Sequence, residues 1–344
     1  MTDTKIIVVG GGVVGLTTAL TLADEFSVSV VAERIGPESD SWKATAVWHV
    51  YLVPESGEVL SWAQRSLEKL TELALTTPLA GVELVQGVEL FRTTPFRVPS
   101  WSHIPRTFRM LTSEELQSYN EFDDTDLRES EIEDLRAHPV SWGYQIEAPA
   151  ASMIKYLSWL ESVATAKGVG FQRLRIDSLD EIAKNGDLIV NCSGFGAREL
   201  VGDRDFVPYK GQYFVLRASE SAPRAYVGDD DHPGGMAYVI PRLGEVMVGG
   251  CAEEGREDLA FTLDWANTMR RAGLYVPWLR RRSPSDQARD PVVGVRPCRR
   301  SGVRVAIDHT SACVPVVHNY GHGGSGFSLS WGCAQAVLAL VREV

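Results

Sequence analysis

Residues 5–15 read Lys5-Ile6-Ile7-Val8-Val9-Gly10-Gly11-Gly12-Val13-Val14-Gly15. The β-branched run Lys5–Val9 predicts a short buried strand, and the residues after the glycines predict a helix over Val13–Phe26, with apolar positions at Val14, Leu16, Leu20 and Leu22. Ser27–Ala32 predicts the next strand. Two strands joined by one helix in so short a span must run parallel, because the crossover returns the chain to the same end of the sheet. Gly10, Gly12 and Gly15 then form a G-x-G-x-x-G turn. The first glycine allows the tight turn, the second lets a pyrophosphate approach the backbone, and the third brings helix and strand close. Glu33 stands eighteen positions after Gly15 (33 − 15), at the end of the second strand. A carboxylate there suits a ribose diol and repels a 2′-phosphate, which disfavours NADP and leaves FAD and NAD both open. The plain readings are a glycine turn without a ligand and a solvated strand-end charge.

The rest of the composition narrows the class. The chain has 344 residues, 44% hydrophobic and 23% charged, which excludes a disordered or fibrous protein. A net charge of −11 and a pI near 5.2 oppose the field that would gather nucleic acid or anionic lipid. Met1–Lys5 lacks the features of a signal peptide, no stretch reaches the roughly 18–20 apolar residues of a membrane span, and Leu340–Val344 carries no peroxisomal tripeptide. The expected address is cytoplasmic. Cys192, Cys251, Cys298, Cys313 and Cys333 stand singly, so they read as reduced packing residues and no metal site is expected.

Further along, Pro95–Pro105 is irregular and rich in aromatics, and the charged stretch Ser113–Arg136 is helical in part. Leu188–Asn191 reads as a buried strand ended by Ser193-Gly194-Phe195-Gly196. Tyr238–Pro241 and Glu245–Gly249 alternate like antiparallel strands, and a last helix is expected over Leu329–Val341. The fold class is therefore α/β, a Rossmann-type dinucleotide domain interleaved with an α+β domain on an antiparallel sheet. The expected division is 1–47, 140–200 and 294–344 for the first, and 48–139 and 201–293 for the second.

Three features carry chemistry on their own terms. Gly321–Gly326, just before a helix, would let bare amides approach a planar, electron-accepting ring, unless it is an ordinary glycine-rich helix entry. Arg296 lies between apolar residues and Pro297, where its guanidinium needs an anion, either a ligand or a salt-bridge partner. His318 and His322 are spaced i, i+4, but the flanking glycines argue against a ligand-bearing helix, so His322 reads as a hydrogen-bonding structural residue.

The stretch His318-Asn319-Tyr320-Gly321-His322-Gly323-Gly324, with Ser325-Gly326 and Trp331-Gly332-Cys333-Ala334, is very similar to the carboxy-terminal signature of the D-amino-acid oxidase family. Asn191–Gly194, Ala237–Pro241, Gly294–Pro297 and Ala44–Leu52 with Trp48 also match in family order, so the resemblance spans nearly the whole chain. It implies a flavoprotein oxidoreductase with non-covalent FAD. The implied reaction is oxidative deamination: hydride passes from the substrate alpha carbon to flavin N5, water hydrolyses the imino acid to a keto acid and ammonia, and oxygen is reduced to hydrogen peroxide. Substrate contacts carried over are Arg296, gripping the carboxylate in two prongs, Tyr238, donating to it, and the Gly324 carbonyl, accepting from the amine. No side-chain acid or base is required, since the cofactor is the electron sink.

For the cofactor the resemblance implies the first turn (Gly10, Gly12, Val13, Val14, Gly15), the ribose end (Glu33, Arg34) and the early stretch (Ser41, Ala46, Val47). It adds the strand-end turn Ser193 and Gly194, then Arg296, and finally Gly321, Gly323, Gly324, Ser325, Gly326, Phe327 and Ser328. The implied partners are an amino acid and oxygen, with no nucleic acid and no membrane, and a homodimer is the assembly it allows. There are departures. The segment Asp229–Gly235 is short and has no lid tyrosine, Ala46 stands where relatives often have glycine, and Tyr209-Lys210 is uncommon. Arg242 and His49 are the residues that would favour an acidic side chain such as D-aspartate. Two other readings stay open: a glycine-, sarcosine- or imino-acid-type oxidase on the same scaffold, and a flavoprotein dehydrogenase or sensor that passes electrons to a partner.

Overall fold

The computed structural model describes residues 4–93, 96–123, 125, 127–310 and 312–344. Pro95 of the aromatic segment, Asp124 and Asp126 of the charged stretch, and Met1–Asp3 lie outside the described residues. The chain divides into two compact units, Met1–Val82 with Ala151–Tyr209 and Arg296–Val344, and Glu83–Ala150 with Lys210–Val295. The interleaving has the expected form, but its limits differ. Residues 48–82 and 201–209 group with the first unit, the former because helix Gly57–Thr76 packs on the carboxy-terminal helix, while 140–150 and 294–295 group with the second.

Described in chain order, the strands are β1 (Lys5–Gly11), β2 (Ser27–Ile35), β3 (Val82–Phe91), β4 (Arg109–Met110), β5 (Trp142–Ala151), β6 (Gly170–Arg173), β7 (Leu188–Asn191) and β8 (Phe206–Arg217). They continue with β9 (Tyr226–Asp229), β10 (Ala237–Arg242), β11 (Glu245–Gly249), β12 (Glu253–Glu254), β13 (Val292–Arg299), β14 (Arg304–Asp308) and β15 (Val316–Tyr320). The helices are α1 (Val13–Leu22), α2 (Gly57–Thr76), α3 (Ser113–Asn120), α4 (Glu129–Ala137), α5 (Met153–Ala166), α6 (Asp180–Ala183), α7 (Ala197–Leu200), α8 (Trp265–Gly273) and α9 (Gly326–Val341).

The first unit is built on a six-stranded sheet in the order β14-β15-β7-β1-β2-β6. Every pairing but β14–β15 is parallel. β7 and β15 are buried along their whole length, as parallel strands covered on both faces require. α1 is apolar almost all round, which fits a helix buried between α9 and α5. It ends at Leu22, four residues short of the expected Phe26, because Ala23–Phe26 turn the chain into β2. α9 begins three residues before the expected Leu329.

The second unit carries a sheet in the order β12-β8-β11-β10-β9-β3-β5-β4, with β13 paired to β8. Its registers align Glu89, Gly228, Tyr238, Gly249 and Tyr213 in one row across β3, β9, β10, β11 and β8. Residues in register share a face, so all five look to one side. The adjacent row, Val88, Val227, Val239, Val248 and Phe214, looks to the other and packs with Met269, Ala272 and Leu279 as the core. All six residues of β10 are buried. Lys210 is also fully buried, and its ammonium reaches Asp258 at 2.8 Å.

Candidate active site

The glycine turn at the end of β1 is closed by contacts only glycine permits. Gly10 has φ +116°, and a Cβ on it would strike the Cys192 carbonyl beside Ser193, at the end of the neighbouring parallel strand. A Cβ on Gly15 would fall on the Gly10 carbonyl oxygen. Gly12 is the α1 N-cap and supplies no side-chain cap, while the Val13 amide donates to Ser41 Oγ at 3.0 Å. The amides of Val14 and Gly15 lack carbonyl partners within the helix, as the first turn of any helix must.

A second such helix end lies beside it. α9 also starts without a side-chain cap, and a Cβ on Gly326 would stand 3.9 Å from Val13 Cγ1. Two positive helix ends therefore adjoin at the carboxyl edge of a parallel sheet, the setting in which such folds take phosphate-bearing and flat ligands.

Not every residue of the glycine cluster behaves as expected. The amides of Gly323, Gly324 and Ser325 donate to Pro297, Tyr51 and His322 carbonyls at 3.1, 3.2 and 2.8 Å. They are spent on the chain itself, so the bare amides begin at Gly326, Phe327 and Ser328. The Ser325 hydroxyl accepts from the Tyr51 amide at 2.7 Å, and Ser328 Oγ accepts from the His49 amide at 2.9 Å. Gly321 and Gly323 have φ +81° and +54°, the left-handed region where glycine is cheapest. Ala46 sits at φ +52°, a conformation that costs a residue with a Cβ about 1 kcal/mol and explains why glycine would be easier there. Val47 makes an isolated bridge next to it.

Glu33 is exposed at the end of β2 with no hydrogen bond or ion pair among the described residues, whereas Arg34 is engaged by Asp40 at 2.8 Å. Ser193 is held by Asn191 Oδ1, to which its hydroxyl donates at 2.7 Å, and Gly194 turns the chain at φ +58°.

The residues expected to meet the substrate are placed as follows. In the first unit, the Arg296 guanidinium carbon lies 5.8 Å from the centre of the Tyr51 ring. A Cβ on Gly324 would come 2.6 Å from Tyr51 Cδ1. Tyr51 thus joins Arg296 and Gly324, a role the sequence reading missed. In the second unit, Tyr238 is buried, its ring lies over Gly249 and Gly250, and its hydroxyl reaches the Gln212 carbonyl at 3.4 Å. Arg242 shares Tyr238's face but is deeply buried and hydrogen-bonded to Tyr213. Burial pushes the His49 imidazole down to about 4, so it is neutral near pH 7. Neither is a free cation for an acidic side chain.

His318 is satisfied, with Nε2 3.2 Å from Asp308 and Nδ1 3.3 Å from Asn191. His322 corrects the expectation made for it. Its Nε2 is buried without a partner among the described residues, as is Asn319 Oδ1. No group of three or more His, Cys, Asp or Glu side chains among the described residues could hold a metal ion.

His322 and His232 share an acid-stability consequence. Burial pushes both imidazoles down to about 3, and Arg92 and Arg271 add to the effect on His232. In the unfolded chain both titrate near 6.5. Below that pH the unfolded state takes up protons the folded state refuses, so stability is whole above about 6.5 and is lost as pH falls toward 3. Each histidine contributes up to about 1.4 kcal/mol per pH unit in that window. Urea unfolding at pH 6.5, 5.5 and 4.5 should show the decline, and His232→Gln should flatten it; an unchanged slope in the variant would remove His232 as a cause.

The profile of the DAO family, described as FAD dependent oxidoreductase, matches residues 5–340. The chain belongs to this family. It is an FAD-dependent oxidoreductase of the DAO family, and curated relatives cover almost its full length. It is 35% identical over 338 residues to a D-amino-acid oxidase of Rubrobacter xylanophilus, covering 98% of this chain and 95% of that one. It is 30% identical over 357 residues to the human D-aspartate oxidase, covering 100% and 96%. The solved structure of glycine oxidase from Geobacillus kaustophilus is similar with a TM-score of 0.74 at 19% identity, covering 99% of this chain and 95% of that chain. An L-amino acid deaminase from Proteus vulgaris is similar at 0.72 and 13%, covering 99% and 94%. These last two speak for the mixed α/β fold alone. The residues present fit FAD, since two uncapped helix ends adjoin beside a turn where a Cβ on Gly10 or Gly15 would strike main chain, with unpartnered polar atoms on Asn319 and His322. No helix among the described residues is long and apolar enough to cross a membrane.

Proposed function

We propose that this family member oxidises D-amino acids: D-amino acid, water and oxygen give a 2-oxo acid, ammonia and hydrogen peroxide. The observation that carries the reading is the pair of groups on Tyr51, a guanidinium at Arg296 and the Gly324 backbone. An amino acid presents a carboxylate and an amine on one carbon, and a guanidinium and a backbone segment gathered around one ring offer partners for both. The relatives named D-amino-acid oxidase support the choice of hand.

On this reading Gly10, Gly12, Val13, Val14, Gly15, Glu33, Ser41, Ser193 and the start of α9 hold the cofactor, and FAD supplies a two-electron sink. The protein's own part is positional. Arg296 takes the carboxylate in a two-pronged contact, Tyr238 adds a donor to it, and the Gly324 carbonyl accepts from the amine, which fixes which substituent of the alpha carbon is presented for oxidation. Oxygen as acceptor, a homodimer and a cytoplasmic address belong to the same reading.

The test is the absorbance of the purified yellow protein mixed anaerobically with D-alanine, with L-alanine, glycine and sarcosine as controls, followed by peroxide release in air. Bleaching by D-alanine is expected. Activity confined to glycine or sarcosine would give the assignment to an amine oxidase instead, and bleaching without peroxide would point to another electron acceptor. Arg296→Lys should lower kcat/KM for D-alanine about 30-fold or more while flavin content stays whole, because lysine lacks the planar fork. An unchanged KM would take Arg296 out of the site.

A further inference from the structure

On the face of the second unit that carries Tyr238, one end of the row bears a carboxyl, Glu89, laid over a glycine. Glu89 is in register with Gly228, which is in register with Tyr238. Gly228 has no side chain, and the Glu89 carboxyl occupies the space a Cβ there would need. Neighbouring strands are spaced about 4.8 Å apart, so the carboxyl stands about one strand from the Tyr238 backbone. It has no hydrogen bond and no ion pair among the described residues. The charges acting on it are those of Asp230 and Asp229, with no cation among them. Asp229 lies on the opposite face, where Arg92 holds it at 2.8 Å. Asp230 follows directly after β9 and its charge acts on Glu89 more strongly than that of Asp229.

A second observation points to a ligand at the same place. Tyr226, in register with Gly87 on β3, lays its ring over that glycine two residues from Glu89. Tyr226 is 2% exposed, and its hydroxyl has no partner among the described residues although it lies within the field of Glu89. A buried hydroxyl left unpartnered beside an unpaired carboxyl is costly unless something with donors completes the group.

We propose that Glu89, assisted by Tyr226, is the specificity-determining residue of this enzyme and selects D-amino acids whose side chain ends in a cation, as in D-ornithine, D-lysine or D-arginine. This rests on the reading of Tyr238 as a substrate contact. Tyr238 turns its ring toward β11, over Gly249, so a substrate held by its hydroxyl reaches Glu89, the one carboxyl of the row, only with a long side chain laid back across β10 and β9. Burial and the charges of Asp230 and Asp229 push the Glu89 carboxyl well above the usual carboxylate range; an ammonium or guanidinium there would hold it ionised and give it its missing partner, whereas an acidic side chain would add to the repulsion.

The experiment compares kcat/KM of the holoenzyme for D-lysine and for D-norleucine, its uncharged counterpart of matching chain length, in the wild type and in Glu89→Gln. Hydrogen bonds to charged groups correspond to roughly a tenfold effect or more. The wild type should prefer D-lysine by about that factor, and Glu89→Gln should lose the preference through a higher KM for D-lysine, with D-norleucine changed less than about twofold. The flavin spectrum and melting temperature of the variant show whether it is folded, and the wild-type ratio stands as a measurement even if it is not. A wild type that uses D-norleucine as well as D-lysine, or a variant that loses both alike, overturns the role of Glu89. If neither compound, nor D-alanine, bleaches the flavin, it is the broader assignment to D-amino acids that fails.

Discussion

Gly15→Ala will purify colourless. The added methyl falls on the carbonyl oxygen of Gly10, a backbone atom fixed between β2 and β7, so no rotamer change relieves it. Overpacking a core costs about 1–3 kcal/mol where side chains can give, and here the obstacle is main chain, which places the cost at the upper end or beyond. Since each 1.4 kcal/mol is tenfold in a dissociation constant, FAD affinity should fall by about 100-fold or more. Gly12→Ala is the control. Its methyl meets Ser41 Oγ at 2.6 Å, the end of a side chain that can turn away, so that variant should keep part of its colour. The ratio of 450 to 280 nm absorbance, with FAD titration of the stripped proteins, measures both. A yellow Gly15→Ala protein of normal affinity would refute the placement of the pyrophosphate turn.

The second large effect concerns the opposite face of the second unit's sheet. Arg92 and Asp229 form an ion pair with side chains 4% and 0% exposed, Nε to Oδ2 2.8 Å. Tyr275 closes the triangle, donating to Asp229 and accepting from Arg92 Nη2 at 2.6 Å, and Arg92 Nη1 donates to the His138 carbonyl. Asp229→Ala leaves a guanidinium buried without its anion, which costs about 3–5 kcal/mol. Replacing both partners by apolar residues, Arg92→Met with Asp229→Leu, removes the stranded charge and should restore most of that loss. Urea unfolding followed by tryptophan fluorescence reads both. The pair is structurally idle if Asp229→Ala unfolds within about 1 kcal/mol of the wild type, or if the double variant is the weaker of the two.

These results bear on how far the chain could be read before its structure was known. The β1–α1–β2 unit was legible because its pattern of strand, glycines, helix and strand lies within 35 residues, although the close approach of Gly10 to Cys192 does not, and β7 and β11 were read to the residue from equally local patterns. The start of α9 was not, since Gly326-Phe327-Ser328 follow glycines that look like loop. The fate of the amides at Gly323–Ser325 was hidden as well, because their acceptors at Pro297, Tyr51 and His322 are set by tertiary approach. Tyr51 had no signal of its own inside a segment noticed for Trp48. Glu89 carried no signal in the sequence, and only the parallel register of β3 with β9, which brings residue 89 beside 228, gives it a glycine to lean over. Pairings over such separations leave no trace in periodicity.

The order of the first unit's sheet has a bearing on biosynthesis. β15, drawn from the last thirty residues, lies between β14 and β7, and α9 covers α1. A ribosome therefore exposes the glycine turn near residue 10 long before the strand and helix that complete its surroundings have been translated. Polypeptides released early would present the bare edge of β7 to solvent and have no use for riboflavin, so premature termination should yield aggregation-prone fragments in place of partly active ones.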